Sequence, residues 1–199
     1  MKKLVIYVHG KGGNINEANH YKSLFIEYDV IGFDYKAKTP WEAKIEFTLF
    51  FDSIKEKYDE IILIANSIGA FLAMYGFFEK KISKAFFISP IVDMETLILN
   101  MMRDLNIKEN ELKNKKEITT SFGETISWDY LCYLRNNPII WKNPTYILYG
   151  EYDKLTSYNT IYKFKEKINA SLTITKSEHW FHTDEQMKSI DNWIKKIIQ

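Results

Sequence analysis

Short, continuously apolar runs alternate along this chain with longer stretches in which apolar residues recur every three or four positions. The short runs are Leu4–Val8, Val30–Phe33, Ile61–Ile64, Ala85–Ile88, Thr145–Tyr149 and Leu172–Thr175. Unbroken β-branched character, clearest in Ile61–Ile64, is the pattern of a strand buried on both faces of a parallel sheet. Helical spacing follows each run. Residues 17–28 are expected to form a helix with Tyr21, Leu24, Phe25 and Tyr28 on one side. Pro40-Trp41 opens a helix to about Tyr58, with Trp41, Ile45, Leu49, Phe50 and Ile54 as its apolar face. From Ile68, Phe71, Leu72, Tyr75 and Phe78 keep the same period, as do residues 157–168 and a last helix carrying Ile190, Trp193, Ile194 and Ile197. Strands alternating with helices at these lengths imply right-handed crossovers and a parallel sheet, an α/β fold.

Residues 91–143 break the rhythm. About fifty residues separate the fourth and fifth strands, far more than an ordinary connection. A helix over Ile91–Leu105 with Leu97, Ile98, Met101 and Met102 as its apolar side, a Lys/Glu-rich piece from Lys108 to Glu117, and a helix over Ser127–Leu134 are expected there. The insertion either covers the core or serves as a lid; long insertions favour the lid.

Composition narrows the classes. A chain of 199 residues is long enough for one domain with a substantial core. Its formal charge of +1 gives no bulk attraction to nucleic acid or an anionic membrane. The lone Cys132 rules out an internal disulfide and a cysteine-rich metal site. The apolar run after the first two lysines stops at His9-Gly10, too short for a signal peptide, and no run reaches membrane-spanning length. A cytoplasmic protein is the expectation.

The candidate chemistry starts at Ala65-Asn66-Ser67-Ile68-Gly69, where a strand must become a helix within about three residues. Such a turn leaves its central residue pointing out and admits only small side chains two positions to either side. Ser67 would stand over the N-terminus of its own helix; the plainer alternative is that it only caps that helix. After the first strand comes His9-Gly10-Lys11-Gly12-Gly13-Asn14. Its glycines match neither the P-loop nor the dinucleotide-binding spacing.

Together these segments resemble the α/β-hydrolase family. Ala65–Gly69 is similar to its nucleophile elbow G-x-S-x-G, with alanine for the first glycine, and His9-Gly10 to its His-Gly loop. Gly150-Glu151-Tyr152-Asp153 resembles the acid loop, and Glu178-His179-Trp180-Phe181 the histidine loop. A serine hydroxyl needs a base, and the base needs a carboxylate to fix its tautomer. The resemblance assigns these parts to Ser67, His179 and Asp153, in the family's chain order, and makes the backbone N–H groups of Lys11 and Ile68 the oxyanion donors. His9 is then a structural residue of its loop. His182 is the rival base and Asp93 the rival acid; Asp34 is expected to bind backbone in its own loop, and His20 to lie on the surface.

The resemblance implies a three-layer α/β/α domain over residues 1–199, six parallel strands in spatial order 2-1-3-4-5-6, without the family's two N-terminal strands and with 91–143 as a small helical lid. Gly10, Met101 and Trp128 are the expected substrate contacts. The implied reaction is acyl transfer to water on a small carboxylic ester or thioester, with no metal or organic cofactor. An amide or peptide substrate stays open, as does a non-catalytic binding protein on the same fold. A dehalogenase would need aspartate at position 67.

Overall fold

In the computed structural model, which describes residues 1–121 and 123–198, the six expected strands are β1 (Lys3–Val8), β2 (Asp29–Gly32), β3 (Glu60–Asn66), β4 (Lys84–Ile88), β7 (Thr145–Gly150) and β8 (Ser171–Thr175). Between β4 and β7 lie two further short strands, β5 (Glu117–Thr119) and β6 (Thr125–Ser127). The helices are α1 (Ala18–Tyr21), α2 (Pro40–Ile54), α3 (Ile68–Gly76), α4 (Met94–Asp104), α5 (Glu109–Lys115), α6 (Trp128–Asn136), α7 (Tyr158–Ile168) and α8 (Asp184–Ile198). The main sheet runs β2-β1-β3-β4-β7-β8 with every neighbouring pair parallel. Counted among its own six strands, that is the expected order 2-1-3-4-5-6.

The central strands β1, β3 and β4 are buried on both faces, which is why their sequences lack alternation. Val5, Tyr7, Ile62, Ile64, Phe86 and Ile88 share one core with Tyr21 and Phe25 after β1 and with Ile190, Trp193 and Ile194 of α8. Successive side chains alternate across a strand, so Leu4, Ile6, Leu63 and Phe87, equally buried, face the other side. The order reverses direction at β1 and β3, and right-handed crossovers then send the connections from those two strands to opposite faces.

Several expectations change in detail. Regular helix in 17–28 stops at Tyr21 and continues as turns to Tyr28, although Tyr21 and Phe25 are buried as expected. Ser23 Oγ donates to the His20 carbonyl at 3.3 Å, a local bond that competes with helix continuation. In α2 the buried stripe is Ala43, Phe47 and Phe51, whereas Ile45 and Leu49 are exposed and Trp41, Phe50 and Ile54 half-buried. Both stripes have helical spacing; the partner decides between them. A Cβ on Gly76 of α3 would lie 2.3 Å from Phe47 Cβ, so the glycine lets the two helices close on that phenylalanine. Phe33 and Phe77 complete its cage at ring separations of 4.8 and 5.1 Å.

The chain divides into two compact units, Met1–Val92 with Ile140–Gln199, and Asp93–Ile139. The second is not purely helical, as the sequence had suggested: β5 and β6 pair antiparallel, Ile118 opposite Ile126. Three-residue strands offer too few positions for a period to register. The buried stripe of α4 is Met94, Ile98 and Met102: Ile98 and Met102 are buried as expected, whereas Leu97 and Met101 are half-buried and Met94 joins the stripe instead. Arg135 on α6 forks onto Glu109 with two 2.8 Å bonds and reaches Glu95 of α4 at 2.7 Å.

Candidate active site

β3 ends at Asn66 and α3 begins at Ile68, so the whole reversal falls on Ser67, with φ 51° and ψ −120°. A residue with a Cβ rarely adopts that conformation, and holding it there costs on the order of 1–3 kcal/mol. The surroundings enforce it: Ser67 N–H donates to the Ile88 carbonyl at 3.0 Å, and the Ser67 carbonyl accepts from Ala70 and Ile91 N–H, each at 3.2 Å. Gly69 is required for a different reason. Its Cβ would sit 2.3 Å from the His9 carbonyl oxygen, so only glycine lets the first turn of α3 pass under the loop leaving β1. Ser67 does not cap α3, since its side chain makes no bond to the helix N-terminus. Its Oγ lies 2.7 Å from His179 Nε2 instead.

His179 follows β8 and is 7% exposed. Its Nδ1 lies 2.7 Å from Oδ2 of Asp153, whose side chain is fully buried. The other oxygen of that carboxylate accepts from the N–H groups of Leu155 and Thr156 at 2.8 and 3.0 Å. An ionised carboxylate only accepts, so it selects the imidazole tautomer with hydrogen on Nδ1 and leaves Nε2 free to accept from the serine. Gly150 makes the two loops compatible: a Cβ there would meet the carbonyl oxygens of Glu178 and Ser177 at 2.4 and 2.6 Å. Burial first, then the charge of Asp153, raises the phenol of Tyr149, whose OH donates to the Thr156 carbonyl.

The rivals are engaged elsewhere. Asp93 caps α4, accepting from Thr96 N–H at 2.9 Å and from its hydroxyl at 2.7 Å. His182 is exposed, with Nδ1 3.2 Å from the Trp180 carbonyl. Asp34 pairs with the side chain of Lys36 at 2.8 Å rather than binding backbone, and His20 is half-buried 2.6 Å from Asp191. His9 is bonded within its loop as expected, Nδ1 2.8 Å from the Gly10 carbonyl, with its ring stacked on Tyr35.

The loop after β1 turns tightly, Gly13 N–H donating to the Gly10 carbonyl at 3.1 Å, with Gly12 at φ +76° as a glycine alone comfortably allows. Lys11 and Gly12, the two central residues of that turn, are exposed. Ile68 is the first residue of α3, whose N–H has no acceptor within the helix. Gly10 lies against the elbow, where an added Cβ would be 3.3 Å from Ser67 Cβ. Met101 and Trp128 are half-buried residues of α4 and α6.

Side chains that motif reading passed over support this loop. Tyr7 OH donates to Glu17 Oε2 at 2.5 Å, and Glu17 Oε1 accepts from Asn14 N–H at 3.0 Å. Burial foremost, then Tyr21 and Glu17, holds the Tyr7 phenol far above its ordinary range, so it remains a donor. Tyr35 OH donates to the His9 carbonyl at 2.9 Å, its own phenol pushed up to about 12 by burial and by the Glu46 and Glu17 carboxylates. The Asn14-x-x-Glu17 spacing of a capping box was the visible signal, and the box forms. No group of three or more His, Cys, Asp or Glu side chains among the described residues could hold a metal ion, and no described helix is long and apolar enough to cross a membrane.

This architecture is the α/β-hydrolase fold. Est1E from Butyrivibrio proteoclasticus superposes with a TM-score of 0.78 at 15% identity, over 99% of this chain and 87% of that one. Alpha/beta hydrolase domain-containing protein 10 from mouse gives 0.72 at 16% identity, over 98% and 89%. An esterase of Pyrococcus furiosus, Pf2001, gives 0.55 at 20% identity, over 98% and 83%. No protein-family model and no curated protein sequence matches the chain.

Proposed function

We propose that this protein is a serine hydrolase that cleaves a small carboxylic ester or thioester through an acyl-enzyme. The observation that carries the reading is the unbroken hydrogen-bonded chain from Ser67 Oγ through His179 to the buried Asp153, with the serine held at a strained φ. In the first half-reaction His179 Nε2 takes the hydroxyl proton as Ser67 Oγ bonds to the carbonyl carbon. The N–H groups of Lys11 and Ile68 hold the resulting oxyanion. Collapse breaks the bond to the alcohol or thiol, which leaves with the proton from His179. Water then repeats the sequence against the acyl-serine, releasing the acid and restoring the hydroxyl. Asp153 orients the imidazole and stabilises its charged form. That esterases are among its structural neighbours favours an ester.

Residues 93–139 would set substrate choice in this reading, with Met101 and Trp128 contacting the acyl or alkyl group and Gly10 the reacting carbonyl. The setting we propose is the cytoplasm, consistent with a single cysteine. Ser67→Ala tests the proposal: p-nitrophenyl acetate hydrolysis and fluorophosphonate labelling should both be lost while the far-UV spectrum and melting temperature are kept. Turnover at the parent rate in that variant would remove Ser67 from the chemistry.

A further inference from the structure

A glycine-rich loop is a poor support for a catalytic donor unless something else fixes it. Glycines at positions 10, 12 and 13 give this loop wide conformational freedom, whereas an oxyanion donor must be held about 2.7–3.1 Å from where the charge develops. The core beneath contains an unusual insertion into an otherwise apolar strand. Tyr7, 2% exposed on β1, turns its hydroxyl to Glu17, and that carboxylate takes the Asn14 N–H at the far end of the loop. A Cβ on Gly13 would lie 2.7 Å from Glu17 Oε1, so the carboxylate lies close against the loop backbone. The strand that bears Tyr7 pairs with the elbow strand, Tyr7 beside Ile64, and an added Cβ on Gly10 would lie 3.3 Å from Ser67 Cβ, so the loop leaves β1 directly against the elbow. Burying a phenol and placing a carboxylate against it is costly unless every group is satisfied, and a phenylalanine at position 7 would pack without that demand.

Resting on the serine-hydrolase reading, we propose that Tyr7 and Glu17 are positioning residues: a relay Tyr7–Glu17–Asn14 that ties the loop carrying the Lys11 N–H to β1, and so holds it against the elbow carrying the Ile68 N–H. Neither side chain touches substrate. Their effect is on the distance between two donors, and so on the transition state rather than on ground-state binding.

The test uses Glu17→Ala, the near-isosteric Glu17→Gln, and Tyr7→Phe, each in the full chain, beside Ser67→Ala. Glu17→Ala should lower kcat for p-nitrophenyl acetate about tenfold with KM little changed, less than the hundredfold or more lost with a donor itself. Inhibition by a trifluoromethyl ketone, which forms a tetrahedral oxyanion adduct on a serine, should weaken in step with kcat/KM. Competition by the corresponding unreactive methyl ketone should not change. Glu17→Gln keeps one acceptor oxygen and should recover part of the loss; Tyr7→Phe should behave like Glu17→Ala, and its apolar ring preserves the packing if Glu17→Ala folds poorly. Parent kinetics in Tyr7→Phe and Glu17→Gln, with Ser67→Ala inactive, would overturn the relay and leave the hydrolase reading standing. Loss confined to melting temperature, with both ketones equally affected, would also overturn it. Turnover surviving in Ser67→Ala would remove the underlying reading and the relay with it.

Discussion

The two compact units are built on different physics. In Met1–Val92 with Ile140–Gln199, three central strands are buried on both faces and α3 is buried from Gly69 to Gly76. In Asp93–Ile139 each helix has one narrow buried stripe: three residues on α4, Leu112 alone on α5, and Leu131 and Leu134 on α6. Its helices are joined on the outside by the Arg135 fork. A unit specified by continuous burial holds side chains in fixed positions, which suits chemistry. One held by a few anchors and surface charge opens at lower cost.

The sharpest test of that contrast compares two aspartates that each follow a strand. Asp153 lies in the first unit with its side chain fully buried; Asp93 begins the second and caps α4. Asp153→Asn should reduce kcat about ten-thousandfold, because the amide favours the wrong imidazole tautomer. Asp93→Asn should leave turnover near that of the parent, since asparagine caps a helix as well as aspartate does. Steady-state kinetics on the pair decide it, and a larger loss at position 93 would exchange the two assignments.

A smaller effect separates the two stripes of α2. Phe47→Ala should destabilise by about 3–5 kcal/mol, as for a large aromatic in a core that cannot collapse around the gap. Leu49→Ala, 67% exposed, should stay within about 0.5 kcal/mol. Urea unfolding measures both. Similar values for the two would mean that the α2 face is not the one packed on Gly76.

These contrasts explain what could be read in advance. Strands such as Ile61–Ile64 were legible because burial on both faces leaves one composition available. The serine, acid and histidine loops were legible because each follows a strand at a fixed offset, and the fold brings strand ends to one edge. The face of α2 was not, since Trp41-Ile45-Leu49 and Ala43-Phe47-Phe51 have the same spacing. Only the absence of a side chain at Gly76, on another helix, chooses between them. The pairing of 117–119 with 125–127 was missed because three residues show no period. The bond from Tyr7 to Glu17 escaped for another reason: nothing in a buried tyrosine's own neighbourhood says that its hydroxyl has found a carboxylate ten residues away. Asn14 and Glu17 could be read as a capping pair, but not the use of the same carboxylate from below.

The smallest expected effect belongs to the second unit's own fastening. Arg135 is one-third exposed and holds the Glu109 carboxyl below its ordinary range, chiefly through their hydrogen bonds. Exposed ion pairs usually contribute about 0–1 kcal/mol, and the bidentate geometry places this one toward the upper end. Arg135→Ala should therefore cost about 1 kcal/mol, and a double-mutant cycle with Glu109→Ala should assign part of it to the pair. A depressed folded-state carboxyl contributes stability above its unfolded-state titration and loses it as pH falls through the folded one. The coupling should accordingly be present at neutral pH and absent in acid. It should also shrink in 1 M salt, where screening acts over about 3 Å. Protection of amides in 93–139, followed by hydrogen exchange in the same variants, should fall with the coupling while β1, β3 and β4 stay unaffected; an equal fall in those strands would mean that the two units open as one.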